Sequence, residues 1–278
     1  MIDAHAHSTH SPDGQGSIKA MIEAAREERL TGIALTEHAE WYPADEAYGY
    51  LNLEVFFSEL EEARTQADSE IIVQAGVELG NPHEFSTETE ALQAYPFDLM
   101  IGSVHWIDRL PGWERDVFSQ GLEETYRCYF NEVLRMVTGA DFDILGHLDI
   151  VRRDSWELFH ETLTLEPYAE VIDEILRRLI AAGRGLEINT SGLRKGLSDT
   201  LPSMRVLRRY RELGGEILVF GSDAHRPEDV GADFELARDV ALAAGFRRTP
   251  RYERRRVCEW IDLERATHDK RPSRRDRL

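Results

Sequence analysis

A rhythm constrains this chain more than any other feature. A short apolar run, a polar loop and an amphipathic stretch recur in that order along most of its length. The runs at 1–5, 32–36, 71–77, 98–102, 142–146, 185–188 and 216–220 predict strands. Apolar spacing of helical period predicts helices over 17–29, 53–67, 122–138, 166–182, 202–213 and 234–244. Ser17 stands at an N-cap position, and Gly183 and Gly214 stand where helices should end. Strands separated by helices of this length run parallel through right-handed crossovers. Seven such units predict an α/β barrel close to the eight-stranded type, irregular or incomplete. An open doubly wound sheet is the alternative, and no GxGxxG follows a strand to favour it.

A chain of 278 residues accommodates one such barrel, expected over residues 1–263. Residues 264–278 lack periodic apolar positions and are expected to form a flexible polar tail. The net charge is −19, yet residues 247–278 hold 12 basic against 6 acidic side chains, so the remainder is more acidic still. Such a body repels nucleic acid, and no nucleic-acid partner is expected. No apolar run approaches the ~20 residues that span a bilayer, and the N-terminal MIDAHAHS has no basic or apolar leader, so neither membrane insertion nor export is expected. Two cysteines are too few for a disulfide framework; Cys128 reads as a packing residue on a helix and Cys258 as a strand residue. A reducing cytoplasm is the expected setting.

Nearly every apolar run ends in a residue that can bind metal. The first leads into His5 and His7, with Asp13 in the following loop; the second ends at His38 and the third at Glu78. The fourth ends at His105, the fifth at His147, and the seventh at Asp223 and His225. Six of the ten histidines thus sit at C-terminal strand ends, which converge on one mouth in a parallel barrel. Residues i and i+2 of an extended segment project to one side, so His5 with His7, and Asp223 with His225, can each hold a cation jointly. Imidazole with carboxylate suits zinc, iron or manganese better than magnesium. Nine candidate ligands exceed what one ion needs and imply two or three ions sharing a carboxylate. His10, His83, His160 and His268 are read as ordinary structural or surface groups.

The run HAHSxxSPDG, followed by LTEH, GVE, SVHW, GHLD, LEINTSGLRK and GSDAH, resembles the PHP (polymerase and histidinol phosphatase) family from Ile2 to about Leu263. LEINTSGLRK, GSDAHRPEDVG and FELARDVALAAGF resemble its histidinol-phosphate phosphatase branch. The resemblance implies a distorted, TIM-like (β/α)7 barrel with a trinuclear centre. One ion would sit on His5, His7, Glu78 and Asp223; a second on Glu78, His105 and His147; a third on Asp13, His38 and His225. Histidinol phosphatases often carry a histidine in a CPHG-like loop where this chain has Asp13 in SPDG; the aspartate version is common elsewhere in the family.

The chemistry this implies is hydrolysis of a small phosphate monoester, L-histidinol phosphate first, with a nucleotide phosphoesterase or exonuclease of the same family as the alternative. Glu78 would bridge ions, and Asp223 or His225 would protonate the leaving alkoxide. Phosphate recognition calls for arginine, and Arg194 and Arg152 are the candidates. The loops Glu40–Leu51 and Trp106–Trp113 could cover a ligand, with Glu40, Asp45, Glu46 or Asp108 facing a cationic substrate. An amidohydrolase barrel also opens with HxH, but its bridging lysine has no counterpart here, since Lys19, Lys195 and Lys270 all lie off the middle strands. A purely structural metal module would be expected to show closed cysteine sites, and none is present.

Overall fold

Seven strands pair side by side, all parallel, and close on themselves in a computed structural model that describes residues 1–67 and 71–264. In chain order they are β1 (Ile2–Ala6), β2 (Gly32–Ala39), β3 (Ile72–Gly80), β4 (Leu99–Ser103), β5 (Ile144–Leu145), β6 (Gly185–Asn189) and β7 (Leu218–Gly221). Each pairs with its successor, and Asp3 of β1 meets Phe220 of β7 to complete the ring. Helices pack outside, and the large apolar cluster lies between them and the outward-facing strand residues such as Ile33, Leu35, Val73, Ala75 and Met100. The predicted closed barrel is therefore observed, and the doubly wound sheet is not.

Alternation along each strand decides what enters the barrel. A second, inner cluster contains Ala4, Ala34, Leu99, Ile101, Ile144 and Val219. Stepping by two from these toward the C-terminal ends leads to His38, Ser103, Gly146 and Asp223. The first strand breaks the rule. Its register against β2 slips between Asp3 and Ala6, where one extra residue forms a bulge. A bulge reverses the parity beyond it. Ala6 accordingly packs in the outer cluster, and His5 and His7 turn into the mouth.

The opposite end is closed by a hairpin of β8 (Arg248–Glu253) and β9 (Arg256–Asp262). Tyr252 enters the inner cluster, and its backbone oxygen accepts from the Gln74 amide. The hairpin turn fixes the plug: Arg255 pairs with Asp141 at 2.9 Å and Asp143 at 3.1 Å, and its backbone N–H donates to Asp98.

Several expectations are refined. Ser17 caps Ile18–Glu27 by accepting from the Ala20 N–H at 3.2 Å, and Gly183 and Gly214 take the left-handed conformation that ends a helix. The strand expected at 142–146 shrinks to two residues. The helix expected at 166–182 begins as a 3-10 turn, Glu166–Tyr168, and continues as Ala169–Ala181. Helices Ser86–Leu92 and Val151–Phe159 occupy segments given no element from the sequence, and helix Ser191–Arg194 and the short hairpin of Trp106–Ile107 with Leu110–Pro111 occupy segments expected to be loops. The polar tail beyond Glu264, with His268, lies outside the described residues.

Candidate metal centre

All nine predicted ligands meet at the C-terminal mouth. Glu78, buried at the end of β3, stands at the middle of the group. Its Oε2 lies 3.2 Å from His5 Nε2, 3.5 Å from His7 Nε2 and 3.1 Å from His38 Nδ1. Its Oε1 lies 3.2 Å from His105 Nε2 and 2.8 Å from His147 Nε2. Asp223 Oδ1 is 3.6 Å from His7 and 3.9 Å from His5. Asp13, carried by the loop after β1, lies 2.9 Å from His225 and 3.7 Å from His38. Three subsets each converge closely enough to hold an ion: His5, His7 and Asp223; His5, Glu78 and His147; and His7, His38 and His225.

The polar bookkeeping favours cations. His5 Nε2, His7 Nε2 and His38 Nδ1 are buried without a hydrogen-bond partner among the described residues. Orphaned ring nitrogens aimed at two carboxylates carry a desolvation cost that metal coordination removes. The donor set of imidazole nitrogens with carboxylate oxygens fits zinc. Asp223 also holds a left-handed backbone, φ 54°, which a non-glycine residue keeps only where its surroundings impose it.

A row of residues behind the ligands fixes their rings. Glu187 accepts from His5 Nδ1 at 2.8 Å, and Glu40 accepts from His105 Nδ1 at 2.6 Å. Ser11 donates to Glu37 at 2.7 Å, accepts from the His38 N–H at 3.0 Å and lies 3.4 Å from His7 Nδ1. Ser103 donates to Glu78 Oε1 at 2.6 Å.

Burial and charge pull the protonation states apart. Burial opposes charge on His5, but Glu78 and Glu187 outweigh it and raise the imidazole well above its usual value. His38 is raised in the same way by Asp13 and Glu78, and His105 is pushed up to about 10 by Glu78 and Glu40. Burial, then His38 and His225, drive His7 down to about 3. Burial works against ionisation of Glu78 and Asp223, but the surrounding histidines hold both carboxylates well below their usual range. The metal-free centre is thus a lattice of carboxylates and protons that ions can displace.

The centre opens into a cavity of ≈ 630 Å³ bordered by Asp45, Glu46, Trp113, Arg153, Arg194 and Lys195. Arg194 lines this cavity: it donates to the Asp223 carbonyl at 3.1 Å and lies 3.6 Å from Asp229. Arg152 does not. Its guanidinium is held by Asp149 at 3.1 Å and Asp199 at 2.9 Å, outside the cavity lining. Its neighbour Arg153, one helical step of ~100° further round, reaches Asp223 Oδ2 at 3.2 Å and Ser191 at 2.9 Å.

Both expected loops reach the site. Asp45 and Glu46 border the cavity, Glu40 is engaged by His105, and Asp108 lies outside the lining. Of the histidines set aside, His10 pairs with Glu59, His83 with Glu132, and His160 ends a helix in a left-handed conformation. Arg153, Glu187 and Ser11 escaped the sequence reading. Only Glu187 left a signal there, as an acid between the apolar residues Leu186 and Ile188 of a buried strand.

A parallel barrel that gathers histidines and carboxylates at its C-terminal mouth defines a metal-dependent hydrolase architecture. The chain belongs to the PHP domain family, which its sequence matches over residues 3–191. It is 29% identical to a probable histidinol-phosphatase of Clostridium acetobutylicum, over 87% of this chain and 92% of that protein. It is 28% identical to the histidinol-phosphatase of Lactococcus lactis, over 88% and 91%. The crystal structure of the Lactococcus lactis histidinol phosphate phosphatase, complexed with zinc, L-histidinol and phosphate, superposes with a TM-score of 0.84 at 25% identity, covering 93% of this chain and 98% of that one.

Proposed function

We propose that this chain is a metal-dependent phosphatase that hydrolyses L-histidinol phosphate to L-histidinol and phosphate, a reaction of histidine biosynthesis. One observation carries the reading: Glu78 offers one oxygen to His5, His7 and His38 and the other to His105 and His147, beside a cavity with arginine on its wall. The similarity to histidinol-phosphatases over most of the chain supports the substrate.

His5, His7, Glu78 and Asp223 would hold one ion, Glu78, His105 and His147 a second, and Asp13, His38 and His225 a third. Zinc fits the donors, and iron or manganese would fit the same set. When bound, such ions lower the pKa of a water and neutralise phosphoryl oxygens. Arg194 and Arg153 supply planar donors to the phosphoryl group from the side of the cavity nearest Asp223. Of Asp223 and His225, adjacent at 3.7 Å, the imidazole is the candidate to protonate the departing alkoxide, because the Asp223 carboxyl is held ionised. Asp45 and Glu46 give the mouth the negative charge that suits a cationic amino alcohol. A cytoplasmic setting fits the two free cysteines.

The test is a substrate panel on zinc-loaded protein: L-histidinol phosphate, p-nitrophenyl phosphate, AMP and a bis-phosphodiester. Histidinol phosphate should show the highest kcat/KM, by about tenfold or more, and dialysis against EDTA should abolish it. Equal or greater turnover of AMP would transfer the assignment to a nucleotide phosphoesterase. Full activity after exhaustive chelation would end the metal reading.

A further inference from the structure

Glu187 lies on β6 inside the barrel, fully buried, at a layer that parallel barrels ordinarily fill with branched apolar side chains. Burying a carboxylate there costs free energy unless both oxygens are satisfied. Both are. Oε1 accepts from His5 Nδ1 at 2.8 Å, and Oε2 accepts from the backbone N–H of His147 at 2.7 Å. His5 lies on β1 and His147 just after β5, strands that are not neighbours in the sheet, so one carboxylate ties together opposite sides of the mouth. Space has been cleared for it. A side chain at Gly221, on the adjacent strand β7, would collide with Glu187 Oε1 and with His5 Cβ.

We infer that Glu187 is a positioning residue of the metal centre, setting the tautomer of His5 and the placement of His147. The inference rests on the phosphatase reading above and extends it to a residue outside the ligand set. Because a carboxylate only accepts, His5 must carry a proton on Nδ1, which leaves Nε2, on the side of Glu78 and Asp223, as the nitrogen that would coordinate an ion. That nitrogen is buried and has no hydrogen-bond partner among the described residues. Each Glu187 oxygen is engaged by one of these two donors. The same oxygen count separates it from a filler of space, since an amide of equal size can satisfy only one of its two donors. The second donor would face an NH2 group.

The experiment compares wild type with Glu187→Gln for zinc affinity, in competition with a chromophoric chelator, and for the visible spectrum of the cobalt-loaded protein. The variant should bind zinc about 10- to 100-fold more weakly and show displaced cobalt bands. Its metal-free far-UV circular dichroism should remain that of wild type. Unchanged zinc affinity with an unchanged cobalt spectrum would overturn the inference while leaving the phosphatase reading intact. Should the variant fail to fold, long-range ¹H–¹⁵N correlation of the histidine rings in zinc-loaded wild type decides the question. A protonated Nδ1 on His5 is expected, and a protonated Nε2 would overturn the proposal. Wild type that binds no zinc would overturn both readings together.

Discussion

Arg152 and Arg153 are chemically identical and adjacent in sequence, yet the structure gives them different work. Arg152 neutralises the fully buried Asp149, whereas Arg153 meets the outer oxygen of Asp223 at the cavity wall. Alanine at 153 or 194 should therefore lower kcat/KM for the phosphate ester by about tenfold or more, since a charge-assisted hydrogen bond is worth ~1.5–3 kcal/mol. Alanine at 152 should leave KM near wild type and lower the melting temperature instead, because it strands the Asp149 carboxylate. Steady-state kinetics and thermal unfolding on the three variants separate the roles; a kinetic defect in Arg152→Ala with Arg153→Ala unaffected would reverse the assignment. Eight of the nine candidate ligands were legible in the sequence because they stand where apolar runs end, and strand ends converge; Asp13 was legible from the loop that follows the first run. Which of two neighbouring arginines faces the site was not, because it depends on the phase of a helix, Val151–Phe159, whose start no capping signal marked.

Among the elements, the two ends of the barrel were unequally readable. Strands β2 and β3 announce themselves through long runs of buried residues and carry His38 and Glu78 in register with each other. The bulge in β1 left no comparable mark, since His5-Ala-His7 looks the same with either parity. Without that extra residue the two imidazoles would share the outward side of Asp3, whose carboxylate is taken up by Ser222 and Gly231. The terminal hairpin was legible only as a strand around Cys258. Its function as a plug depends on Tyr252 reaching residues far away in sequence. Tyr252→Ala should open a cavity among Ala4, Ile101 and Val219 and cost about 3–5 kcal/mol. Unfolding in urea should show the loss, while kcat measured well below the transition stays near wild type because the mouth lies at the other end. A large fall in kcat without destabilisation would show that the plug reaches the metal centre.

For the whole molecule, metal, proton and stability are linked, and the sign follows from the histidines. His105 in the metal-free fold is held at about 10 against an ordinary value of 6.5, with His5 and His38 also raised, whereas His7 is already neutral at about 3. A raised histidine contributes stability that is complete below its unfolded value and disappears as pH climbs toward its folded one. The metal-free protein should therefore lose thermal stability between about pH 6.5 and 10. Glu78 and Asp223, both depressed, stay ionised throughout that window and do not offset the loss. Zinc requires unprotonated imidazole, so loading expels the protons held on His5, His38 and His105, and affinity should rise about tenfold per pH unit for each proton released. The gap in melting temperature between zinc-loaded and EDTA-treated protein should accordingly widen from pH 6.5 toward 10. Calorimetric titration of zinc near pH 7 in buffers of different ionisation enthalpy counts the protons directly, and at least about one per chain is expected. A zinc affinity independent of pH, with no proton released, would mean that the carboxylates are not holding these histidines in their charged form.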